Sequence, residues 1–218
     1  MNVVSEFENL IKLLILGDVS VGKSNFLFRF IEDKFLDNHL PTVGFDYKSQ
    51  IITLPDKSVV KLQIWDTVGE EKFMSINQSL LPKVHGIILI YDITDQTSFE
   101  HITNWLKIIK EGNENASLIL VANKCDEEDK RVVSEEEGNK IAVDNNISFV
   151  EASAKENINI KETFVKIAEE IMIKVTKKGK IDDSSRTSSS EVMFRKSFSY
   201  KPNNQGGKKF KCCPCLLI

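Results

Sequence analysis

Short apolar runs alternate with amphipathic segments along most of the chain. Four apolar runs bounded by turn residues predict buried strands, and they lie at residues 10–16, 84–91, 118–122 and 148–151. Four other segments carry apolar side chains at helical spacing, and they lie at about residues 26–31, 98–111, 134–145 and 156–175. This alternation of strands and helices is typical of βαβ units arranged around a parallel sheet.

Two further runs predict a β-hairpin. Residues 45–54 and 58–65 are rich in β-forming residues and are separated by Pro55-Asp56-Lys57. We therefore predict an α/β fold with a doubly wound, mostly parallel six-stranded sheet, helices on both faces and one antiparallel edge strand. The final helix has an apolar face that we interpret as core, with a partner-binding face as the alternative. That face is formed by Ile160, Phe164, Ile167, Ala168 and Ile171.

The composition changes near residue 176. Beyond this point Lys, Ser, Asn and Gly predominate, and the scattered aromatic residues have no periodicity. Such segments cannot bury enough apolar surface to fold alone. The sequence thus predicts a domain over residues 1–175 and a flexible tail over residues 176–218.

Composition and charge exclude several classes of protein. The chain has 218 residues, 41% of them hydrophobic, which is enough for one core and an extension. A net charge of -3 gives no general attraction to nucleic acid. The four cysteines form no disulfide framework and suit a reducing cytosol. We expect no signal peptide, because Glu6 and Glu8 precede the first apolar run and Lys12 interrupts it.

A phosphate-binding pattern follows the first predicted strand. Gly17-Asp18-Val19-Ser20-Val21-Gly22-Lys23-Ser24 has two glycines at the required spacing, followed by Lys and Ser. A strand, a glycine turn and a helix start direct free backbone N–H groups and the positive end of the helix dipole at one point. Lys23 adds a full charge, and Ser24 offers a hydroxyl to magnesium. An ordinary strand–turn–helix is the alternative interpretation.

An acidic residue ends the second strand of the hairpin. Asp66 precedes Thr67-Val68-Gly69, and a carboxylate at this strand end can reach the coordination shell of magnesium beside the phosphate loop. The Asp-x-x-Gly pattern is common, so its position after a phosphate loop carries the argument. Together the two motifs predict a nucleotide-binding α/β domain of the phosphate-loop class.

A second polar motif identifies the base. Asn123-Lys124-Cys125-Asp126 follows a predicted strand at the sheet edge where such folds bind ligands. The Asp126 carboxylate accepts hydrogen bonds only, and guanine presents two adjacent donors, whereas adenine presents an acceptor there. The backbone amides of Ser153, Ala154 and Lys155 could then meet the guanine oxygen. In isolation, a polar turn explains Asn123–Asp126 equally well.

With these motifs in order, the chain resembles the Ras superfamily of small GTPases, and within it the Rab branch. The Rab first switch is similar to Thr42-Val43-Gly44-Phe45-Asp46-Tyr47 of this chain. The Rab interswitch strand is similar to Lys61-Leu62-Gln63-Ile64-Trp65-Asp66-Thr67, and the next strand of the family is similar to Gly86-Ile87-Ile88-Leu89-Ile90-Tyr91-Asp92. The resemblance covers about residues 10–175. It implies the G-domain fold, GTP hydrolysis, and GTP or GDP with Mg²⁺ as ligands.

The resemblance also implies roles for individual residues. Ser24 and Thr42 would coordinate magnesium, and Asp66 would support it through water. Thr42 and Gly69 would sense the terminal phosphate, while Tyr47, Trp65 and Leu80 would form an apolar patch for effectors, unless Trp65 is simply core. The residues expected at the nucleotide are Val19, Ser20, Val21, Gly22, Lys23, Ser24, Asn25, Phe35, Thr42, Gly69, Asn123, Lys124, Asp126, Ser153, Ala154 and Lys155.

Four departures from the family pattern concern hydrolysis and the second switch. Glu70 replaces the Gln that orients the attacking water, and an ionised carboxylate cannot donate to that water. Hydrolysis at the site of Glu70 and Lys23 should therefore be slow, unless Glu70 is protonated or a partner supplies a donor. Val68 replaces Ala, and Val19 adds bulk where an arginine finger would enter. Residues 80–83 replace a Tyr-Tyr-Arg-Gly stretch, and Pro82 would end or kink a helix there.

The C-terminus predicts a lipid anchor. The last four residues form a C-a-a-X box with Cys215 as prenyl acceptor, and terminal Ile218 favours geranylgeranyl over farnesyl. A single chain binds membranes only marginally, so the Lys cluster or acylation of Cys212 or Cys213 would supply a second signal. Zinc binding by these cysteines is the alternative. We expect the protein on the cytosolic face of membranes, with a soluble cytosolic pool.

Three functions remain open from the sequence. The first is a GTPase that cycles between states, with effectors, an exchange factor, an activating protein and a prenyl-solubilising protein as partners. The second is a GTP-loaded, membrane-tethered platform with little turnover. An adenine-dependent phosphate-loop kinase is disfavoured by Asp126 and by the lack of a lid-like, Arg-rich insertion.

Overall fold

The computed structural model describes residues 9–36, 45–67 and 80–182 of the chain. These segments contain six strands, β1 to β6, and belong almost wholly to a compact unit over residues 1–179. The strands are Asn9–Leu16, Phe45–Thr53, Val59–Thr67, Gly86–Asp92, Ser117–Asn123 and Ser148–Ala152. All six predicted strands are therefore confirmed, with ends that differ by one or two residues.

The strands form one sheet in the order β2-β3-β1-β4-β5-β6. Four of the five pairings are parallel, and β2 pairs antiparallel to β3 at the edge. The hairpin register runs from Phe45 opposite Thr67 to Thr53 opposite Val59. The predicted mostly parallel sheet with one antiparallel edge strand is confirmed.

Five α-helices, α1 to α5, lie within the described residues. They are Lys23–Glu32, Gln96–Glu100, Ile102–Gly112, Glu135–Asp144 and Ile160–Asp182. Helix α4 begins with a capping box, in which the Ser134 hydroxyl accepts from the Glu137 amide and the Glu137 carboxylate accepts from the Ser134 amide.

The sheet carries a core on each face. Because successive side chains of a strand point to opposite faces, Leu13 and Ile15 of β1 join one apolar cluster while Leu14 and Leu16 join the other. The first cluster contains Phe26 of α1 and the apolar face of α5, and the second contains residues of α2, α3 and α4. All five α5 residues predicted as core are buried, namely Ile160, Phe164, Ile167, Ala168 and Ile171.

Two predicted helices have other boundaries in the structure. The helix expected over residues 98–111 is two helices, because the Asp95 carboxylate accepts from the Thr97 amide and starts α2 early, and His101 separates α2 from α3. The last helix begins at Ile160, four residues after the predicted start, and continues to Asp182. Pro82 lies in the first turn of a short 3₁₀ helix, Leu81–Lys83, where its missing N–H costs nothing. Leu80, directly before this turn, is helical, and the rest of the segment that Pro82 was predicted to end or kink lies outside the described residues.

No helix among the described residues is both long and apolar enough to cross a membrane. Several predicted functional residues lie outside the described segments. They are Thr42, Val68, Gly69, Glu70, Cys212, Cys213 and Cys215.

Candidate functional site

The predicted site residues of the described segments meet at one edge of the sheet. The phosphate loop follows the carboxyl end of β1, Asp66 lies near the end of β3, Asn123 ends β5, and Ser153 follows β6. Since these four strands are parallel to one another, their carboxyl ends share one edge. In doubly wound sheets this is the edge where ligands bind.

Backbone conformation accounts for both glycines of the phosphate loop. Gly17 has φ 137°, and a Cβ there would lie 2.1 Å from the Ile90 carbonyl oxygen. Gly22 has φ 95°, and a Cβ there would lie 2.4 Å from the Asn123 amide nitrogen. At both positions the positive φ and the short distance from a Cβ to its neighbour disfavour any side chain, so the loop requires glycine where the motif has it.

Lys23 lies folded back over the phosphate loop. Its ammonium donates to the carbonyl oxygen of Gly17 at 2.8 Å and to that of Asp18. The residue is only 6% exposed, and burial lowers its pKa to about 8, while Asp66 and Asp18 oppose that shift. A buried cation beside a helix N-terminus stabilises an anion strongly, and a bound polyanion would favour the charged form of Lys23.

Ser24 and Asp66 place two oxygen ligands together. The Ser24 hydroxyl, in the first turn of α1, donates to Oδ2 of Asp66, which is buried at the end of β3. A hydroxyl and a carboxylate are the hard oxygen donors that Mg²⁺ prefers. The chemistry of this pair therefore fits the predicted metal, and Thr42, the third predicted ligand, lies outside the described residues.

Asn123 connects the phosphate loop to the loop after β6. Its side-chain amide donates to the Val21 carbonyl oxygen at 2.8 Å, and its side-chain oxygen accepts from the Ala154 amide at 3.3 Å. Asn123 is buried, so both bonds are shielded from water. The predicted phosphate and base sites thus share one residue, a link that the motif spacing alone did not indicate.

Lys124 and Asp126 are oriented by partners of their own. Lys124 has a left-handed backbone, with φ 66°, and its ammonium lies 2.5 Å from the buried Asp92 carboxylate. Oδ1 of Asp126 accepts from the Ser153 hydroxyl at 2.5 Å, and that hydroxyl accepts in turn from the Glu156 amide at 2.9 Å. The side chains of Lys124 and Asp126, for which the sequence left a base site and a polar turn open, are therefore held in place by hydrogen bonds and an ion pair.

Asn25 and Phe35 lie on the α1 side of the site. The Asn25 side chain pairs with both backbone groups of Leu36, accepting from its N–H at 3.3 Å and donating to its C=O at 3.1 Å. Phe35 is half-buried and packs against the first core cluster. The side chain of Val19, in contrast, is 45% exposed at the mouth of the phosphate loop.

The predicted apolar patch is partly assembled on the hairpin side. The Tyr47 and Trp65 rings are 5.5 Å apart, and Tyr47 is 43% exposed. Trp65 and Leu80 are both partly buried and pack against the second core cluster. Trp65 therefore contributes to the core and to the surface, so neither of its two predicted roles excludes the other.

Sequence reasoning missed two side chains that hold the site. The carboxylate of Asp18 accepts from the Trp105 indole N–H at 2.8 Å and lies 2.5 Å from His101 Nδ1, which ties the phosphate loop to α3. Arg29 of α1 donates to the carbonyl oxygens of Ala154 and Lys155. Both contacts join residues more than 80 positions apart, and no local signal in the sequence indicates them.

A family model and individual relatives of known sequence were found to be similar to this chain, and they all belong to one family. A sequence model of the Ras family matches residues 12–173. Ras-related protein Rab-8B of Bos taurus is 44% identical over 180 residues, covering 82% of this chain and 86% of the relative. Ras-related protein Rab-8 of Diplobatis ommata is 43% identical over 173 residues, covering 79% and 82%. Ras-related protein Rab-8A of Mus musculus is 44% identical over 173 residues, covering 79% and 83%.

Proposed function

Because this chain belongs to the Ras family and is similar to Rab proteins over most of its length, we propose that it is a GTP- and GDP-binding switch for vesicle trafficking. One observation carries the proposal. The phosphate loop, the Ser24–Asp66 pair and the Asn123–Asp126 segment share one sheet edge and are bonded to one another.

In this proposal the phosphates lie over the start of α1. The amides of residues 20–24 donate to phosphate oxygens, and the nearby Lys23 ammonium neutralises their charge. Ser24, Thr42 and Asp66 hold Mg²⁺, which supplies positive charge next to the phosphate oxygens when bound. The contact of the Ser24 hydroxyl with the buried Asp66 carboxylate supports this assignment.

The base lies against the Asn123–Asp126 segment. The Asp126 carboxylate pairs with the two guanine donors, and its bond from Ser153 keeps it in place. Lys124 and Phe35 border the ring, and the backbone of residues 153–155 meets the guanine oxygen. Charge-assisted bonds of this kind contribute about 1.5 to 3 kcal/mol each, enough for at least a hundredfold preference over adenine.

The test of binding uses nucleotide-free protein with magnesium and a fluorescent GDP analogue. We expect tight binding that GDP and GTP displace and ATP does not. Asp126→Asn should weaken GDP binding and strengthen XDP binding, because the Asn amide donates to the xanthine oxygen that replaces the guanine amino group. Displacement by ATP, or no uptake of the guanine analogue, would contradict the proposal.

Two loops report the terminal phosphate in the proposed switch. Thr42 and Gly69 lose their contacts when that phosphate leaves, and the segments that carry them relax. Effectors then distinguish the two states through the patch of Tyr47, Trp65 and Leu80. Exposure of the Tyr47 ring beside Trp65 supports this surface.

Hydrolysis is slow in this proposal, because Glu70 accepts hydrogen bonds but cannot donate to the attacking water when ionised. Exposed Val19 also narrows the entrance for an arginine finger, which contributes about 10³ to 10⁵ in rate. The second candidate function, a GTP-loaded platform with little turnover, follows from the same two residues. The nucleotide that copurifies with the protein from its own cell distinguishes them, since mostly GDP indicates cycling and mostly GTP indicates the platform.

Membrane attachment completes the proposed function. In this proposal the domain predicted over residues 1–175 forms the switch, and the chain beyond it carries a prenyl group on Cys215, with Cys212, Cys213 or the Lys cluster as the second signal. We expect an exchange factor, an activating protein, effectors and a prenyl-solubilising protein as partners. The last of these accounts for a soluble cytosolic pool beside the membrane-bound one.

A further inference from the structure

Arg29 joins helix α1 to the loop after β6. Its side chain is 14% exposed and donates to three backbone carbonyl oxygens outside its own helix. Nε donates to the Ala154 carbonyl oxygen at 2.8 Å, and one terminal nitrogen donates to that of Lys155 at 2.8 Å. The other terminal nitrogen donates to the Asp33 carbonyl oxygen at 2.9 Å. The planar fork of the guanidinium thus holds two successive peptide groups of the loop.

Peptide planarity converts these bonds into an orientation of the loop amides. A trans peptide directs its C=O and N–H to opposite sides. With the Ala154 carbonyl on Arg29, the Lys155 N–H of the same peptide points away from α1. The next peptide follows the same rule, because the Lys155 carbonyl bonds Arg29 and the Glu156 N–H bonds the Ser153 hydroxyl.

The side of the loop opposite Arg29 is the side of Asp126. The Ser153 hydroxyl that accepts from Glu156 donates to the Asp126 carboxylate at 2.5 Å. On the preceding peptide, the Ala154 N–H is held by Asn123 at 3.3 Å. Arg29 therefore holds the outer edge of a loop whose inner edge faces the Asp126 carboxylate.

We propose that Arg29 is a positioning residue that presents the Lys155 amide to the C6 oxygen of guanine. This inference rests on the proposed function. Arg29 does not touch the base, and it acts by fixing the peptide that does. It would therefore contribute to selectivity for the C6 oxygen but not for the amino group that Asp126 binds.

A purely structural role predicts a different result. The ion pair of Arg29 with Asp33 spans 3.5 Å, and the Asp33 side chain is 78% exposed, so it contributes little stability. If Arg29 only held α1 in place, its loss would weaken all nucleotides equally. Two GDP analogues separate these cases, because each changes a single position of the base.

The experiment compares GDP, 6-thio-GDP and IDP by competition with a fluorescent GDP analogue. In 6-thio-GDP, sulfur replaces the C6 oxygen and is a weaker acceptor, while both donors for Asp126 remain. IDP keeps the oxygen and lacks the amino group. For the wild type we expect 6-thio-GDP to bind about 3- to 10-fold more weakly than GDP, the effect of one ordinary hydrogen bond.

For each analogue, the factor is the ratio of its Kd to that of GDP for the same protein. In Arg29→Met we expect the 6-thio-GDP factor to fall below about twofold, while the IDP factor stays at its wild-type value. Arg29→Lys keeps the charge but loses the fork, so its 6-thio-GDP factor should fall as well. This second variant tests the inference if the first one does not fold. Arg131→Gln is the matched control, because Arg131 is a similarly buried arginine whose bonds go to Glu128, Glu151 and the Val133 carbonyl oxygen.

An unchanged 6-thio-GDP factor in either Arg29 variant would overturn the inference. So would an equal fall in both factors, which would indicate general loosening of the site, or the same fall in Arg131→Gln. Wild-type protein that binds no GDP at all would instead refute the proposed function.

Discussion

Ser20 has a left-handed backbone conformation in the phosphate loop, with φ 64°. This conformation costs an L-residue roughly 1 to 2 kcal/mol, and glycine adopts it freely. The backbone at Ser20 is therefore strained, whereas the backbone at the two glycines of the loop is not. Binding of phosphate to the neighbouring amides is one way in which such strain is offset.

We predict that Ser20→Gly stabilises the nucleotide-free protein by about 0.5 to 1 kcal/mol, the strain relieved less the extra entropy of glycine in the unfolded chain. Urea unfolding measures the change. Val19→Gly is the control, because Val19 has no left-handed backbone and its replacement adds only unfolded-state entropy. A destabilised Ser20→Gly protein would show that the hydroxyl matters more than the strain.

Glu70 is the second residue with a testable consequence. We predict that Glu70→Gln accelerates single-turnover GTP hydrolysis by about a hundredfold, the usual effect of one well-placed donor at a reacting group. Glu71→Gln removes the same charge one position away and should leave the rate unchanged. Equal rates in wild type and Glu70→Gln would exclude slow hydrolysis caused by this residue.

At the scale of elements, helix α3 holds the phosphate loop through Asp18. The Asp18 carboxylate accepts from the Trp105 indole N–H and lies against the His101 ring, while the Asp18 backbone carbonyl accepts from the Lys23 ammonium. Asp18 thus bonds α3 with its side chain and Lys23 of the phosphate loop with its backbone carbonyl. Movement of α3 should therefore change how tightly the phosphates are held.

Trp105→Phe tests this coupling. We predict that the variant releases GDP about 3- to 10-fold faster, because the indole hydrogen bond to Asp18 is lost. Ile109→Val is the control, since Ile109 is buried on the same helix in the same cluster and its side chain has no group that could donate a hydrogen bond to Asp18. Release rates come from chase of a fluorescent GDP analogue. Equal acceleration in both variants would indicate a packing effect alone.

The elements themselves were largely predictable from the sequence. Strands β1, β4 and β5 are nearly fully buried between two helical layers, so their apolar runs are continuous and their position is clear. The break at His101 was missed because apolar spacing continues across it. The bonds of Asn123, Asp18 and Arg29 were missed for another reason, since each joins segments that only the folded sheet brings together.

At the scale of the whole molecule, the proposed function requires that the switch remain attached to a membrane by its tail. We predict that Cys215→Ser moves the protein from the membrane to the soluble fraction, because no prenyl group is then added. Cell fractionation measures the distribution. Cys125→Ser is the control, because Cys125 is a half-buried thiol beside Asp126 and lies far along the chain from the C-a-a-X box. Unchanged membrane association of Cys215→Ser would refute the proposed anchor.

The β2–β3 hairpin begins directly after residues 37–44 and ends directly before residues 68–79, which carry Thr42 and Gly69. Its two outer residues, Phe45 and Thr67, face each other across the ladder. Inserting one residue into either strand would therefore change the register and the spacing between the two segments that we propose to sense the terminal phosphate. A chimera with another family member should accordingly exchange β2 and β3 together, because a single exchanged strand would not match the residues of the strand with which it pairs.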